Sequence, residues 1–276
     1  MIASRIVLSS TVICWEGAVK DAAYEERYCA YIDILGFADL MADLRSGNIK
    51  FEAIRDILKR IHKPYDPQII DVEHCDFRAQ SISDAVALST RCTVPGLSML
   101  FAAVRQLAEA SLHEGYFLRG AICRGLLFHD DTTVFGEALV KAYRLESEIV
   151  KFPRIMLTKN VVSDALSSNL KKDFDEHIKQ ADDGPFYQHV LWHLQMLLDV
   201  LKERNYAPEG SEHQLTYYAT MRDAIQRRFD ESVDTPRHFE KVQWFANYWN
   251  ISIREERAGL KFIKGPGLFQ MRFLGA

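Results

Sequence analysis

One stretch, residues 28–37, constrains the fold more strongly than any other part of the chain. It reads YCAYIDILGF, an apolar run of strand-forming residues with a single carboxylate, Asp33, and a glycine close behind it. A run this apolar is typical of a strand that is buried on both faces. An unpaired carboxylate in such a strand would cost several kcal/mol by order of magnitude, so Asp33 requires a partner.

A metal ion is one such partner, and the residues after Asp33 suit it. Gly36 allows a tight turn, and residues 37–44 have apolar positions at helical spacing. A strand, an acid, a turn and a helix N-terminus together form a layout that can hold Mg²⁺ or Mn²⁺ against a triphosphate. Two alternatives remain open at this point: Asp33 caps the helix, or it pairs with an arginine.

The composition bounds the class of protein. The 276 residues, 48% hydrophobic and 26% charged, are typical of one globular domain, or of one domain with a sizeable insertion. A net charge of −4 does not indicate a basic surface that binds nucleic acid. The five cysteines are widely spaced without a CxxC pair, which favours reduced thiols and a cytoplasmic protein. Residues 1–13 are too short and too polar for a membrane span, and we interpret residues 1–26 as an N-terminal extension.

Periodicity predicts alternating strands and helices along the rest of the chain. Residues 77–89 form a predicted β-hairpin whose tip carries a second acid, Asp84. The other predicted strands span residues 69–73, 117–127 and 154–158, and two more lie around the Gly-Pro-Gly sequence within 260–274. The predicted helices span residues 49–62, 95–113, 137–150, 161–166, 189–204, 214–229 and 238–250. This element order predicts an α+β fold with a mixed sheet and helices on one or both faces.

The two acids point to one kind of chemistry if they meet. Should the strands that carry Asp33 and Asp84 be neighbours, the two carboxylates converge and can clamp a polyphosphate through two divalent ions. Residues 167–256, in contrast, are rich in charge and in helical periodicity and contain no cluster of acids or glycines. We interpret them as a helical insertion or an oligomerisation surface.

Six short blocks, in this order along the chain, resemble the catalytic domain of class III nucleotide cyclases. Residues 31–37 resemble the opening F-x-D-I-x-G-F of that family, 81–85 its T-I-G-D-A hairpin, 118–125 its R-x-G-I-x-x-G strand, 135–147 its W-G-x-x-V-N-x-A-x-R-x-E-S helix, 155–158 the strand that follows, and 263–267 its closing V-K-G-x-G. The resemblance implies a ferredoxin-like core with a mainly antiparallel sheet. It also implies a catalytic domain made of residues 27–166 and 257–276, with 167–256 as an insertion within the same domain.

The resemblance further implies a role for each matching residue. The implied ligands of two Mn²⁺ or Mg²⁺ ions are Asp33, Asp84 and the carbonyl of Ile34. The implied catalytic residues are Arg144, which stabilises the pentavalent transition state, and Lys264, which holds the terminal phosphates. The implied substrate-binding groups include the amides of Gly36 and Phe37 and the side chain of Arg119. The reaction they would serve is the attack of a ribose 3′-hydroxyl on the α-phosphate of a nucleoside triphosphate, which requires metal ligands and cationic groups of this kind. The family pattern also implies a homodimer whose sites lie at the subunit interface. From the charge and hydropathy above, we expect no nucleic-acid or membrane partner.

Three departures from the family pattern concern the base and the ribose. Gln80 stands where a lysine helps to read adenine, Thr133 where an acid reads the base, and Val140 where an asparagine positions the ribose. The pattern resembles the pyrimidine cyclases of bacterial Pycsar anti-phage systems, which make cUMP or cCMP to activate a toxic effector. We expect UTP as the substrate. CTP is one alternative, and a catalytically silent domain that binds a nucleotide or a protein is another, which Val140 favours.

Some of these residues also have ordinary structural interpretations. Arg119 can be a surface charge at a strand end. Arg144 can form a solvated ion pair with Glu146 or Glu148, which follow it on the same predicted helix. Residues 129–131, His-Asp-Asp, are interpreted as a polar hairpin tip.

Overall fold

The computed structural model describes residues 23–47, 51–52, 55, 75–82, 85–169, 171–204 and 210–268. Several sequence predictions lie wholly or mostly outside these ranges: the N-terminal extension, the helix over 49–62, the strand over 69–73, the Ser83-Asp84 hairpin tip and the last predicted strand, after residue 268.

Strand β1 (Glu25–Ile34) is the centre of the sheet, because it is paired along its length on both sides. It runs antiparallel to β3 (Ala85–Arg91) on one side and to β4 (Leu118–His129) on the other. Strand β2 (Arg78–Ile82) forms a hairpin with β3, in which its last residue, Ile82, pairs with Ala85. The buried first strand and the hairpin are therefore confirmed.

Two helices complete the core. Helix α1 (Phe37–Ser46) follows β1, and helix α2 (Val94–His113) joins β3 to β4. Helix α2 begins where Thr93 accepts a hydrogen bond of 3.1 Å from the Gly96 amide, so one of the donors left unpaired at a helix start is satisfied. The β-α-β-β-α-β succession, with strand order β2-β3-β1-β4, is a ferredoxin-like core, as expected.

The sheet continues beyond β4. A parallel strand β6 (Ile155–Leu157) lies next to β4, followed by β8 (Phe186–Gln188) and β7 (Ile178–Gln180), and a short β5 (Val134–Gly136) pairs with the end of β4. The described strands thus form one mixed, mainly antiparallel sheet, which confirms the predicted α+β fold class. The β7–β8 hairpin was not predicted, because three-residue strands are too short to show a period of two.

The other helices whose bounds the structure describes follow β4 along the chain. They are α3 (Glu137–Arg144), which continues as a π-helical turn (Leu145–Ile149), α4 (Lys159–Ser167), α5 (Lys171–His177), α6 (Trp192–Arg204), α7 (Ser211–Ser232) and α8 (Pro236–Ile253). The three helices predicted within residues 167–256 are confirmed as α6, α7 and α8. Among the residues that the structure describes, no helix combines the length and the apolar character that crossing a membrane requires.

The two faces of the sheet differ in character. On one face, β1 residues such as Ile32 are buried in the main hydrophobic core with α2 and the later helices. Tyr31 and Asp33 alternate with Ile32 and so lie on the opposite face. Helix α3 covers part of that face, where the ring of Tyr143 contacts the ring of Tyr31 edge-on at 5.5 Å. We call this second face the α3 face.

The segment after α8 differs from the prediction. Residues 260–264 were predicted as a strand, but apart from one bridge at Leu260 they have no regular secondary structure and no strand partner among the described residues. Side chains of α7 and α8 take up the backbone groups instead. Asn250 donates to the Ile263 carbonyl at 3.0 Å and accepts from its amide at 2.7 Å, and Gln226 bonds both backbone groups of Lys264 at 2.9 Å. The predicted turn at residues 265–267 is present.

Candidate functional site

Asp33 lies near the end of β1, between two strands. Its register partners are Ala85 in β3 and Arg119 in β4. The chain then turns at Gly36, whose φ of +81° is the left-handed conformation that glycine adopts without strain, and α1 begins at Phe37. The Leu35 amide donates a 2.8 Å hydrogen bond to the carbonyl of Phe117, just before β4, and this bond fixes the turn. The predicted order of strand, acid, turn and helix is confirmed.

Arg119 lies between two carboxylates. Its Nε and Nη2 atoms are each 3.4 Å from Oδ2 of Asp33, and its Nε is 2.5 Å from Oε1 of Glu146. The side chain of Asp33 is 17% exposed and that of Glu146 is 4% exposed. One of the alternatives left open by the sequence, an arginine partner for Asp33, is therefore present, and Arg119 is not a lone surface charge.

Glu146 reaches Arg119 because the chain changes its winding there. Helix α3 ends at Arg144, and the following π-helical turn carries Glu146. Such turns are frequent at functional sites, since the extra residue redirects a side chain. Glu146 is buried and paired with Arg119, so it is not the solvated partner of Arg144 that the sequence suggested.

The predicted metal site is described only in part. Asp84 and its hairpin tip lie outside the described residues, but Ala85, next to Asp84 in sequence, is the register partner of Asp33. No group of three or more His, Cys, Asp or Glu suited to a metal ion is found within the described ranges. Carboxylate and carbonyl oxygens are the ligands that Mg²⁺ and Mn²⁺ prefer, and Asp33 and Ile34 offer donors of this type.

The two residues predicted to read the base lie close together. Gln80 in β2 donates a 2.9 Å hydrogen bond to the carbonyl of Thr132, which precedes Thr133. Asp130 shapes this turn by accepting hydrogen bonds from the amides of Thr132 and Thr133, at 2.8 and 2.7 Å. The other amide atom of Gln80, Oε1, is buried and has no hydrogen-bond partner among the described residues.

Gln80 also shares the α3 face with Asp33. Its register partner is Ala87, which in turn pairs with Tyr31, two residues before Asp33. Residues opposite one another, or two apart along a strand, lie on the same face of a sheet. Gln80, Asp33 and Arg119 are therefore on one face, across four neighbouring strands.

Arg144 lies on the outer side of α3. The inner side of this helix is formed by Ala138 and Ala142, which are fully buried. Arg144 is exposed, lines an open groove with Val140 and Lys141, and makes no ion pair with another described residue. It therefore faces away from the sheet of its own chain.

Lys264 is placed differently from the other predicted residues. Its side chain is exposed, and its backbone is held by Gln226 of α7. Within the described ranges, no contact joins Lys264 to Asp33 or Arg119.

Lys241 of α8 is a charged neighbour of the site that the sequence analysis missed. Its pKa is lowered, chiefly by burial and then by the positive charge of Arg119, while Asp33 acts in the opposite direction. It lies in the part of the chain interpreted as an insertion, where no motif marks it, so the sequence carried no signal for it.

The hairpin tip starts one residue later than predicted. His129 is almost fully buried, and its Nδ1 is 2.8 Å from the hydroxyl of Ser89, which also accepts a hydrogen bond from Arg27. Burial lowers the pKa of His129 to about 4, and Arg27 acts in the same direction. His129 is therefore a neutral core residue, and the polar tip begins at Asp130.

Comparison with known proteins gives weak matches only. No family model and no curated protein matches the chain. A bacterial light-regulated adenylyl cyclase of known structure is 15% identical with a TM-score of 0.37, over 61% of this chain and 52% of that one, so the match spans about half of that protein. The catalytic core of a rhodopsin-guanylyl cyclase with converted specificity, in complex with ATPαS, is 14% identical with a TM-score of 0.40, over 61% of this chain and 97% of that one. At these values the similarity assigns neither a family nor an activity.

Proposed function

We propose that this chain is a nucleotide cyclase that converts UTP to 3′,5′-cyclic UMP and diphosphate. The observation that carries the proposal is the arrangement around Asp33, where residues from separate cyclase-like sequence blocks lie on neighbouring strands. Asp33 is opposite Ala85, the neighbour of Asp84, and opposite Arg119. Acids at adjacent strand ends beside an arginine suit the binding of a metal-bound polyphosphate.

In this proposal the metal ions are held by Asp33, Asp84 and the carbonyl of Ile34. When bound, two Mn²⁺ or Mg²⁺ ions would lower the pKa of the ribose 3′-hydroxyl and neutralise phosphate charge. The amides of Gly36 and Phe37, at the start of α1, bind phosphate oxygens, as exposed amides at a helix N-terminus do.

The reaction forms one bond and breaks one. The 3′-oxygen attacks the α-phosphorus, the bond to the bridging oxygen breaks, diphosphate leaves and the hydroxyl proton passes to solvent. Arg119 and Lys264 bind the phosphates that leave, and Arg144 stabilises the charge that develops on the α-phosphate. The proposal further places the product as a second messenger in anti-phage defence, a role that rests on the sequence resemblance alone.

The proposal includes a homodimer, and the position of Arg144 supports it. Because Arg144 is exposed on the outer side of α3, it is suited to act on the site of a second copy. The same helix and the turn after it also expose large apolar side chains, with Val140 50%, Tyr143 51% and Ile149 56% exposed. Exposed apolar residues that lie close together in the chain in this way are typical of a protein–protein contact.

The choice of a pyrimidine rests on Gln80 and Thr133. An amide and a hydroxyl can each donate or accept a hydrogen bond, so they suit the Watson–Crick edge of uracil or cytosine. The buried Oε1 of Gln80, which lacks a described partner, is a group that a base could satisfy. A site that bonds one edge should reject the other base, because a mismatch leaves buried polar groups unpaired.

A competition assay tests the reaction and the base together. Purified protein is incubated with Mn²⁺ and equal UTP, CTP, ATP and GTP, and cyclic products are identified by mass. We expect cyclic UMP to predominate. Predominant cyclic CMP would change only the choice between the pyrimidines, whereas cyclic AMP or cyclic GMP would contradict the pyrimidine assignment.

Two substitutions test the metal role. We expect Asp33→Ala and Asp84→Ala each to abolish turnover while the protein stays folded, because each removes a proposed metal ligand. Asp234→Ala, an exposed acid between α7 and α8, is the matched control and should leave turnover unchanged. Full activity of Asp33→Ala at saturating Mn²⁺ would refute the two-acid mechanism.

Complementation tests the shared sites. Asp84→Ala and Arg144→Ala proteins are mixed after subunit exchange has been confirmed with a label. Some mixed dimers then have one intact site, so part of the activity should return. No recovery would count against sites built from two copies.

A catalytically silent nucleotide-binding domain is the second candidate, and Val140 favours it. Val140 stands where the family pattern has a ribose-positioning asparagine, and it is half exposed in the groove that Arg144 lines. This candidate predicts that nucleotides bind in the presence of Mn²⁺ without any cyclic product. The competition assay together with a binding measurement separates the two.

A further inference from the structure

Arg119 is shared unequally between two acids. Its Nε lies 2.5 Å from Glu146, whereas both of its contacts with Asp33 are 3.4 Å long. As an ion pair, Arg119 is therefore closer to Glu146, although its two hydrogen bonds, both long, go to Asp33.

Glu146 is well placed to decide where the guanidinium rests. It is buried in the π-helical turn, with its side chain 4% exposed, and a buried side chain has few alternative rotamers. Arg119 is 23% exposed and belongs to β4, whose register with β1 keeps its backbone opposite Asp33. The position of the guanidinium between the two acids therefore depends on the charge of Glu146.

We propose that Glu146 is a positioning residue, which holds the Arg119 guanidinium and thereby keeps the Asp33 carboxylate available to a divalent cation. The inference rests on the metal role proposed for Asp33. Without the negative charge of Glu146, Arg119 closes on Asp33 and competes with the cation. If the Arg119–Asp33 contact shortens from 3.4 Å to about 2.8 Å at an effective dielectric constant of about 20, the Coulomb attraction increases by about 1 kcal/mol. This corresponds to a roughly sixfold change in the equilibrium constant for cation binding.

The positioning role of Glu146 is tested by measuring Mn²⁺ binding to the full chain. The metal alone is the probe, so the measurement needs no turnover. Free Mn²⁺ is measured by electron paramagnetic resonance during titration of wild type, Glu146→Gln, and the double variant Arg119→Met/Glu146→Gln. We expect Glu146→Gln to weaken Mn²⁺ binding roughly sixfold, by the Coulomb estimate above. The double variant should bind at least as tightly as wild type, because the competing guanidinium is gone and the buried charge of Glu146 has been removed with it.

Three further variants make the result specific. Glu148→Gln, an exposed acid in the same turn, is the matched control and should not change the Kd. Glu146→Asp keeps the charge with a shorter reach and should give an intermediate Kd, which also covers the case that Glu146→Gln does not fold. Asp33→Asn should lose the binding that the proposal assigns to it.

The outcomes separate the inference from the proposed function. If Asp33→Asn loses Mn²⁺ but Glu146→Gln and Glu146→Asp bind it like wild type, the inference is wrong and the metal role of Asp33 stands. If Glu146→Gln and the double variant are equally weak, Glu146 does not act through Arg119 and the inference is also wrong. If Asp33→Asn binds Mn²⁺ normally, the metal role of Asp33 is wrong, and the inference fails with it.

Discussion

Two buried histidines predict that the fold loses stability in mild acid. Burial lowers the pKa of both His129 and His189 to about 4. His189 is bonded at Nδ1 to the hydroxyl of Tyr248 at 2.5 Å and lies 2.8 Å from the side chain of Gln195 at Nε2. A proton added to either ring must therefore be accommodated in a buried, already bonded site, and the folded state resists it.

The sign and the size follow from proton linkage. The unfolded chain binds a proton at each histidine near pH 6.5, whereas the folded chain does so only near pH 4. The stability that each neutral histidine contributes is therefore fully present above pH 6.5 and is lost as the pH falls towards 4. Between pH 7 and pH 5 the loss is about 2 kcal/mol for each histidine, and over the whole window about 3 kcal/mol.

Urea unfolding at pH 7 and pH 5 measures this loss. The free energy of unfolding of wild type should fall by about 4 kcal/mol between the two values if both histidines contribute as expected. In His189→Gln that fall should shrink by about 2 kcal/mol, even though the variant is less stable at pH 7. His213→Gln, an exposed position on α7, is the control and should leave the fall unchanged. Because the comparison uses differences between variants, acids that titrate in the same range cancel. An equal fall in wild type and His189→Gln would refute the reasoning.

Two predictions concern the backbone. Gly120→Ala should prevent folding or cost more than about 3 kcal/mol, because the added Cβ would lie 2.4 Å from the carbonyl oxygen of Tyr31 in the neighbouring strand. Thermal unfolding measures this cost against Gly125→Ala in the same strand, where the added Cβ meets no atom closer than 3.5 Å, and near wild-type stability of Gly120→Ala would contradict the prediction. Asn250→Leu should lower the free energy of unfolding by about 2–3 kcal/mol, because it leaves the amide and carbonyl of Ile263 buried without partners. The Ile263 amide should then exchange its hydrogen faster with solvent, and unchanged exchange would count against this account.

The parts of the fold that could be predicted from the sequence are those set by local patterns. The apolar run of β1, the turn at Gly36 and the hairpin around Asp84 each follow from residues close together in the chain. Contacts between distant residues left no such signal. Nothing near Glu146 indicates that a π-helical turn directs it to Arg119, which precedes it by one strand and one helix. The predicted strand over 260–264 failed for the same reason, because side chains of α7 and α8 take the backbone groups that a neighbouring strand would have used.

The helices between residues 167 and 256 show why motif order is a poor guide to what can fold alone. Phe245 of α8 packs its ring 5.1 Å from that of Phe117, and the Phe117 carbonyl accepts the hydrogen bond that fixes the turn after Asp33. Trp249 and Phe245 are almost fully buried in the same core as β1. A protein reduced to the cyclase-like blocks would expose this surface to water and lose the support of that turn, since exposed apolar area costs about 25 cal/mol per Å². The segment that carries no recognisable motif is therefore part of what holds Asp33 in place.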